Sequence, residues 1–180
     1  MALSATIYNF DIRLADADRN VYETIAVRVA RHPSETAEYL FTRVLAYCLE
    51  YGQGLTFSNG GLSDPDAPAL AIRDLTGAMQ RWIEIGTPEA ARLHKASKAT
   101  PQVAVYAHRD IEAWLDRLRA GKIHRAAALD IYVMDRDLLA ALAAKLERRM
   151  DLDLSISERH LYLTVAGETH AGVIEKRSIA

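Results

Sequence analysis

Ala69-Leu-Ala-Ile-Arg-Asp-Leu-Thr-Gly-Ala-Met-Gln-Arg-Trp-Ile-Glu-Ile85 reads as two strands folded back on one another. Thr76-Gly77 is a tight-turn signal, and strand-length runs rich in apolar residues, 69–75 and 79–85, lie on either side of it. With the tip there, facing residues have numbers that add to about 153, so Glu84 lies opposite Ala69 at the open end. Asp66 projects beyond that same end, and the loop Ser63-Asp-Pro-Asp-Ala-Pro68 can fold it inward. Asp74 sits near the tip, about 17 Å along the strand, too far to share a site with Glu84. The next helix supplies Arg92 and Lys95, one turn apart on one face and able to point back at the acids.

Outward from this hairpin, Leu55-Thr-Phe-Ser58 supplies a third short strand. Thr87-Pro88-Glu89 opens the following helix with a capping residue, a proline and an early acid. Val103-Ala-Val-Tyr-Ala107 is apolar on both faces, as a central strand is, and Leu129–Val133 is a second core strand. Between them, Ile111, Trp114, Leu115 and Leu118 mark a helix over 110–120, which predicts a right-handed βαβ unit. Asp135 caps a last helix carrying Leu138, Leu139, Leu142, Leu146 and Met150. The first helix follows His32-Pro33, with Ser34 as cap, and runs to about Tyr51. Its apolar residues cover most of its circumference, and Glu35, Glu38 and Thr42 form a polar stripe.

Both ends of the chain read as hairpins: residues 5–31, and 152–157 with 161–165, with an edge strand near Gly172–Glu175. These predict one antiparallel layer in which the chain ends meet. The expected class is α/β (α+β), a single domain over 1–180 with a mixed central sheet, flanking helices and terminal β-hairpins.

Composition narrows the function. Of 180 residues, 50% are apolar, and 22 basic against 24 acidic residues give a net charge of −2, which argues against a general polyanion binder. No run approaches the ~20 apolar residues of a membrane span, and the opening residues predict no secretory signal. One cysteine, Cys48, excludes an internal disulfide; with it a cytoplasmic location is expected and no membrane partner. Glycine-rich phosphate loops, CxxC pairs, HExxH and GxSxG are absent. The six histidines fall on surface-like segments, none at metal-ligand spacing with another. Cys48, on the most apolar helix, reads as a buried inert thiol. Arg117, Arg119, Lys122, His124 and Arg125 cluster at a helix end, where they complement its dipole; a phosphate-contacting patch is the other reading.

Two carboxylates, Asp66 and Glu84, at a sheet end beside a cation form an oxygen-ligand site of the kind that holds Mg²⁺. Salt bridges from Arg92 or Lys95 to the same acids account for all of the pattern and are the stronger reading of spacing alone.

Taken in order, His32-Pro-Ser-Glu-Thr36, Asp66-Ala-Pro-Ala-Leu70, Leu75-Thr-Gly77, Trp82-Ile-Glu-Ile-Gly86 and the Arg92-to-Lys95 helix resemble the YaeQ family of small bacterial proteins over nearly the whole chain. That resemblance implies a core varying the PD-(D/E)XK nuclease fold. It places Asp66, after Pro65, at the motif aspartate and Glu84 at the D/E position, with Gly86 where the motif has lysine. It offers Lys95, or Arg92, as the displaced cation, and Glu38, or Glu35, as an additional acid at the metal site. The function implied is a Mg²⁺-dependent phosphodiesterase with nucleic acid as partner. The alternative is a non-catalytic nucleic-acid- or protein-binding regulator on a degenerate nuclease scaffold.

Overall fold

The computed structural model describes residues 4–58 and 66–180. The chain divides into two compact units: residues 1–49 with 134–175, and residues 50–133 with 176–180.

The first unit is built on a five-stranded sheet ordered β10-β9-β8-β1-β2. β1 (Thr6–Asp16) and β2 (Val21–Arg31) form a regular hairpin, Thr6 facing Arg31 and Asp16 facing Val21. β8 (Arg149–Ser157), β9 (His160–Val165) and β10 (Glu168–Val173) follow one another antiparallel. Alternation decides the faces. Phe10, Ile12 and Leu14 of β1, Ile25, Val27 and Val29 of β2, and Leu152, Leu154 and Ile156 of β8 are buried, while most of their neighbours are not. Helix α1 (Ala37–Leu49) belongs to this core, Phe41 meeting Phe10 edge-on at 5.8 Å between ring centroids. Helix α4 (Arg136–Ala143) packs against both α1 and β10. The expected layer exists, but it is mixed: β1 runs parallel to β8, Asn9 facing Arg149 and Asp16 facing Ile156. Pairing across some 140 residues leaves no local signature, and two hairpins can join by either edge in either sense.

The second unit holds a six-stranded sheet ordered β11-β7-β6-β5-β4-β3. β3 (Leu55–Phe57), β4 (Leu70–Arg73) and β5 (Met79–Ile85) form the expected antiparallel meander. Leu70 faces Ile83, Ala71 faces Trp82 and Ile72 faces Arg81, all adding to 153, until a bulge at Ile72/Arg73 shifts the last pair to Arg73–Met79. β6 (Gln102–Ala107) is parallel to β5 and to β7 (Asp130–Val133), with α2 (Ala90–Ala99) and α3 (Glu112–Ala120) in the crossovers. One sheet face (Trp82, Val103, Val105, Ile131) packs with Leu93 and Ala96 of α2 and Trp114, Leu115 and Leu118 of α3. β11 (Glu175–Arg177) closes the edge, Arg177 pairing with Glu112 at 2.7 Å.

Local details depart from expectation at helix ends. Thr36, not Ser34, caps α1, its Oγ1 accepting from Tyr39 N at 3.1 Å, because Ser34 is engaged with His32 Nδ1. Glu35 precedes the helix, and α1 ends at Leu49. Glu89 occupies the N-cap of α2 without a side-chain bond, so Thr87 and Pro88 lie outside it. Asp135 caps α4 as expected, accepting from Leu138 N at 3.0 Å. α4 stops at Ala143, however, and Met150 is the second residue of β8, buried by the alternation of a strand. His108 is buried rather than surface-lying, at the end of central strand β6. No helix among the described residues is long and apolar enough to cross a membrane.

Candidate functional site

The second unit brings Asp66, Glu84, Arg92 and Lys95 into one cluster. Strand alternation puts Glu84 on the same face of β5 as Trp82, under α2, and leaves it buried, 5% exposed. Both neighbours donate to one oxygen: Trp82 Nε1 to Oε1 at 2.5 Å and Arg92 Nε to Oε1 at 2.6 Å. Arg92, in the first turn of α2, also donates Nη2 to Ala67 O at 2.8 Å, and its guanidinium lies over the Trp82 ring at 5.8 Å. One residue thus ties helix, strand and the segment before β4 together. Lys95, one turn on, pairs with Asp66, both side chains more than half exposed. The Lys95 ammonium, and less strongly the Arg92 guanidinium, hold the Asp66 carboxyl below the usual carboxylate range.

The other expected residues belong to other parts of the chain. Glu38 stands in the first turn of α1 in the first unit, half-buried. Glu35 is spent locally: its Oε2 accepts from Arg43 Nη2 at 2.8 Å, and burial pushes its carboxyl up despite that partner. Asp74 organises the turn at the hairpin tip, accepting from Thr76 N and Ala78 N and from Gln80 Nε2. The expected inward fold of Ser63–Pro65, and the proline before Asp66, lie outside the described residues.

Gly86, where the resemblance leads one to expect a motif lysine, has a backbone that favours glycine. Its φ is +100°, in the region L side chains rarely adopt, and its N–H donates to Tyr106 O at 2.8 Å. A Cβ would meet nothing within 4 Å, so the obstacle is the backbone angle, not space.

As a donor set for Mg²⁺ the cluster does not fit as it stands. Two carboxylates and waters can hold that ion, but here each carboxylate already has a cation, and the four charges cancel. No group of three or more His, Cys, Asp or Glu suited to a metal occurs among the described residues.

The spacing of apolar residues did not disclose a second network, on the opposite face of the same sheet. Arg81 donates Nε and Nη2 to Glu50 at 2.8 and 2.9 Å and Nη1 to Asp130 at 2.9 Å. Tyr106 OH donates to Glu50 Oε1 at 2.6 Å, and its ring stacks on Tyr132 at 5.0 Å. Burial alone would lower the Arg81 pKa; the bonds to Glu50 and Asp130 more than offset it. The available signal was parity: Arg81 and Glu84 differ by an odd number, so they face opposite ways. Cys48 is buried, and burial pushes its thiol up to about 12, consistent with an inert core residue. In the first unit an open cleft of about 480 Å³ is lined by Lys145, Glu147, Arg149 and Asp151 among others, and none of the expected site residues lines it.

The sequence model of the family described as "YaeQ protein" matches residues 1–173. A Salmonella typhi protein described as "Uncharacterized protein YaeQ" is 34% identical over 168 residues, 92% of each chain. The crystal structure of YaeQ protein from Pseudomonas syringae superposes with a TM-score of 0.86 at 34% identity, covering 96% of this chain and 95% of that one. The YaeQ protein from Xanthomonas axonopodis pv. citri gives 0.87 at 30%, covering 97% and 99%. With a sequence match over nearly its whole length and the same fold in two solved relatives, this chain belongs to the YaeQ family.

Proposed function

We propose that this chain binds nucleic acid without cutting it, on a nuclease-like scaffold whose metal site has been replaced by resident cations. One observation carries the absence of cutting: Glu84, the acid that a metal would need most, is buried and already bonded through one oxygen to Arg92 and Trp82. Freeing Glu84 for a metal means parting a buried carboxylate from its guanidinium, while Mg²⁺ itself gives up its waters reluctantly. Gly86, two residues on, supplies no cation, so charge developing on a phosphate would lack the group that normally offsets it there.

The test has two arms. Calorimetric titration with Mg²⁺ and Mn²⁺ should give the same heat for wild type and for Asp66→Ala. Incubation with plasmid DNA or single-stranded RNA in either metal should leave the polymer intact, while labelled DNA is retained at low salt. Metal-dependent cleavage that disappears in Glu84→Ala overturns the proposal.

That outcome would support a second reading, a Mg²⁺-dependent phosphodiesterase with Asp66 and Glu84 as ligands. The exposed Asp66–Lys95 pair favours it, since an ion pair in water opens at little cost. It requires Arg92 as well as Lys95 to leave its carboxylate.

A further inference from the structure

We infer that the nucleic-acid backbone lies on a cationic surface formed by the exposed side of α2 and the connection after α3. This rests on the nucleic-acid reading above and names the surface that serves it. The charge of the chain is unevenly placed. Between residues 90 and 125 there are eight Lys or Arg and three Asp or Glu, against 22 and 24 in the whole chain, so this segment is strongly basic within an acidic protein. Two of the three acids are neutralised, Asp116 by Arg119 and Glu112 by Arg177, and three of the eight cations are themselves paired, Arg92 with Glu84, Lys95 with Asp66 and Arg119 with Asp116, which leaves five.

The fold brings some of these charges, Lys95, Lys98, Lys122 and Arg125, to one side of α2. Gly121 follows α3, and a Cβ there would come within 2.7 Å of the Ala90 Cβ, so the end of α3 abuts the start of α2. The chain then runs beside α2. His124 N donates to His94 Nδ1 at 3.1 Å, and Arg125 caps the far end of the helix by donating to Thr100 O at 2.7 Å. Lys122 and His124 therefore flank the face that presents His94, Lys95 and Lys98. Lys98 and Lys122 are exposed, and among the described residues neither pairs with a carboxylate. Two cations held apart from any acid, in water, are what a string of phosphates neutralises on contact. The large exposed apolar residues, Tyr22, Leu75, Tyr162 and Val173, all lie outside 90–125, so the patch carries no anchor for a lipid surface. It is continuous through Lys95 with the Asp66–Glu84 cluster.

The experiment is fluorescence anisotropy of a labelled double-stranded DNA oligomer between about 50 and 200 mM salt. It compares wild type, Lys98→Gln/Lys122→Gln, and the control Arg28→Gln/Arg136→Gln, which removes the same charge from exposed positions of the first unit. The patch variant should bind several-fold more weakly whatever the DNA sequence, with a plot of log K against log salt shallower by about two. The control should keep the wild-type slope. Equal weakening of both variants, or wild-type slope in the patch variant, overturns the surface while leaving nucleic-acid binding intact. Absence of binding by wild type overturns both readings.

Discussion

Arg92 Nε donates to Glu84 Oε1 at 2.6 Å, from the first turn of α2 to a buried position on β5. This pair and Lys95–Asp66, one helical turn away, use the same kinds of group in different solvent. Their consequences should differ accordingly.

Removing Arg92 leaves Glu84 buried with only the Trp82 indole, so Arg92→Ala should destabilise the fold by about 1–3 kcal/mol, below the range for a fully buried pair because the guanidinium is partly exposed. Lys95→Ala removes an exposed partner and should leave the unfolding midpoint near wild type. Urea denaturation of the two variants side by side checks this; an equal loss would mean that burial does not separate the pairs.

Gly86→Lys places a lysine at a backbone φ of +100°, and should cost about 1–3 kcal/mol in urea denaturation through backbone strain alone. Space for the side chain is available, so a variant as stable as wild type would show that the turn relaxes. Nuclease assays on the same variant should remain blank.

The parallel alignment of β1 with β8 brings two hairpin turns together. Asp18, from the first, accepts from the backbone N–H of Glu158 and of Arg159 in the second, at 2.7 and 3.0 Å. Those bonds, that of Arg159 foremost, hold the Asp18 carboxyl below its ordinary value. A carboxyl depressed in the folded state contributes stability above its unfolded pKa of about 3.9, and that contribution is lost as pH falls through the lower folded value. Asp18→Asn should therefore lose stability at neutral pH and show a shallower decline below about pH 4. Denaturation midpoints measured across that range decide it; parallel curves for the two proteins would contradict it.

Glu158 and Arg159 carry φ of 51° and 61° in a two-residue turn where glycine is favoured at the second position. Arg159→Gly keeps the N–H that Asp18 uses and removes the left-handed penalty. It should raise stability by about 0.5–1 kcal/mol, net of the added unfolded-state entropy. Thermal unfolding reads the gain, and a lower midpoint would refute it.

Much of the second unit was legible from the sequence because its contacts are close along the chain. Thr76-Gly77 set the hairpin and its register, which put Asp66 and Glu84 at one end and Asp74 at the other. The same counting missed the bulge at Ile72/Arg73, and helix-cap rules misplaced the starts of α1 and α2 because Ser34 bonds to His32 and Glu89 makes no cap bond. Met150 matched a helical period and yet belongs to β8, since apolar residues four apart satisfy a strand's parity as well.

By itself the sequence determined the terminal hairpins, the meander, the parallel β6–β7 pair around α3, and the candidate acids and cations. These follow from short-range periodicity and turn chemistry, which act through neighbouring backbone angles. Tertiary structure alone decided that β1 runs parallel to β8, that Glu50, Arg81 and Asp130 meet, and that Arg92 takes Glu84 while Lys95 takes Asp66. Each of these depends on which groups lose water together, a property of the folded volume that no local pattern encodes.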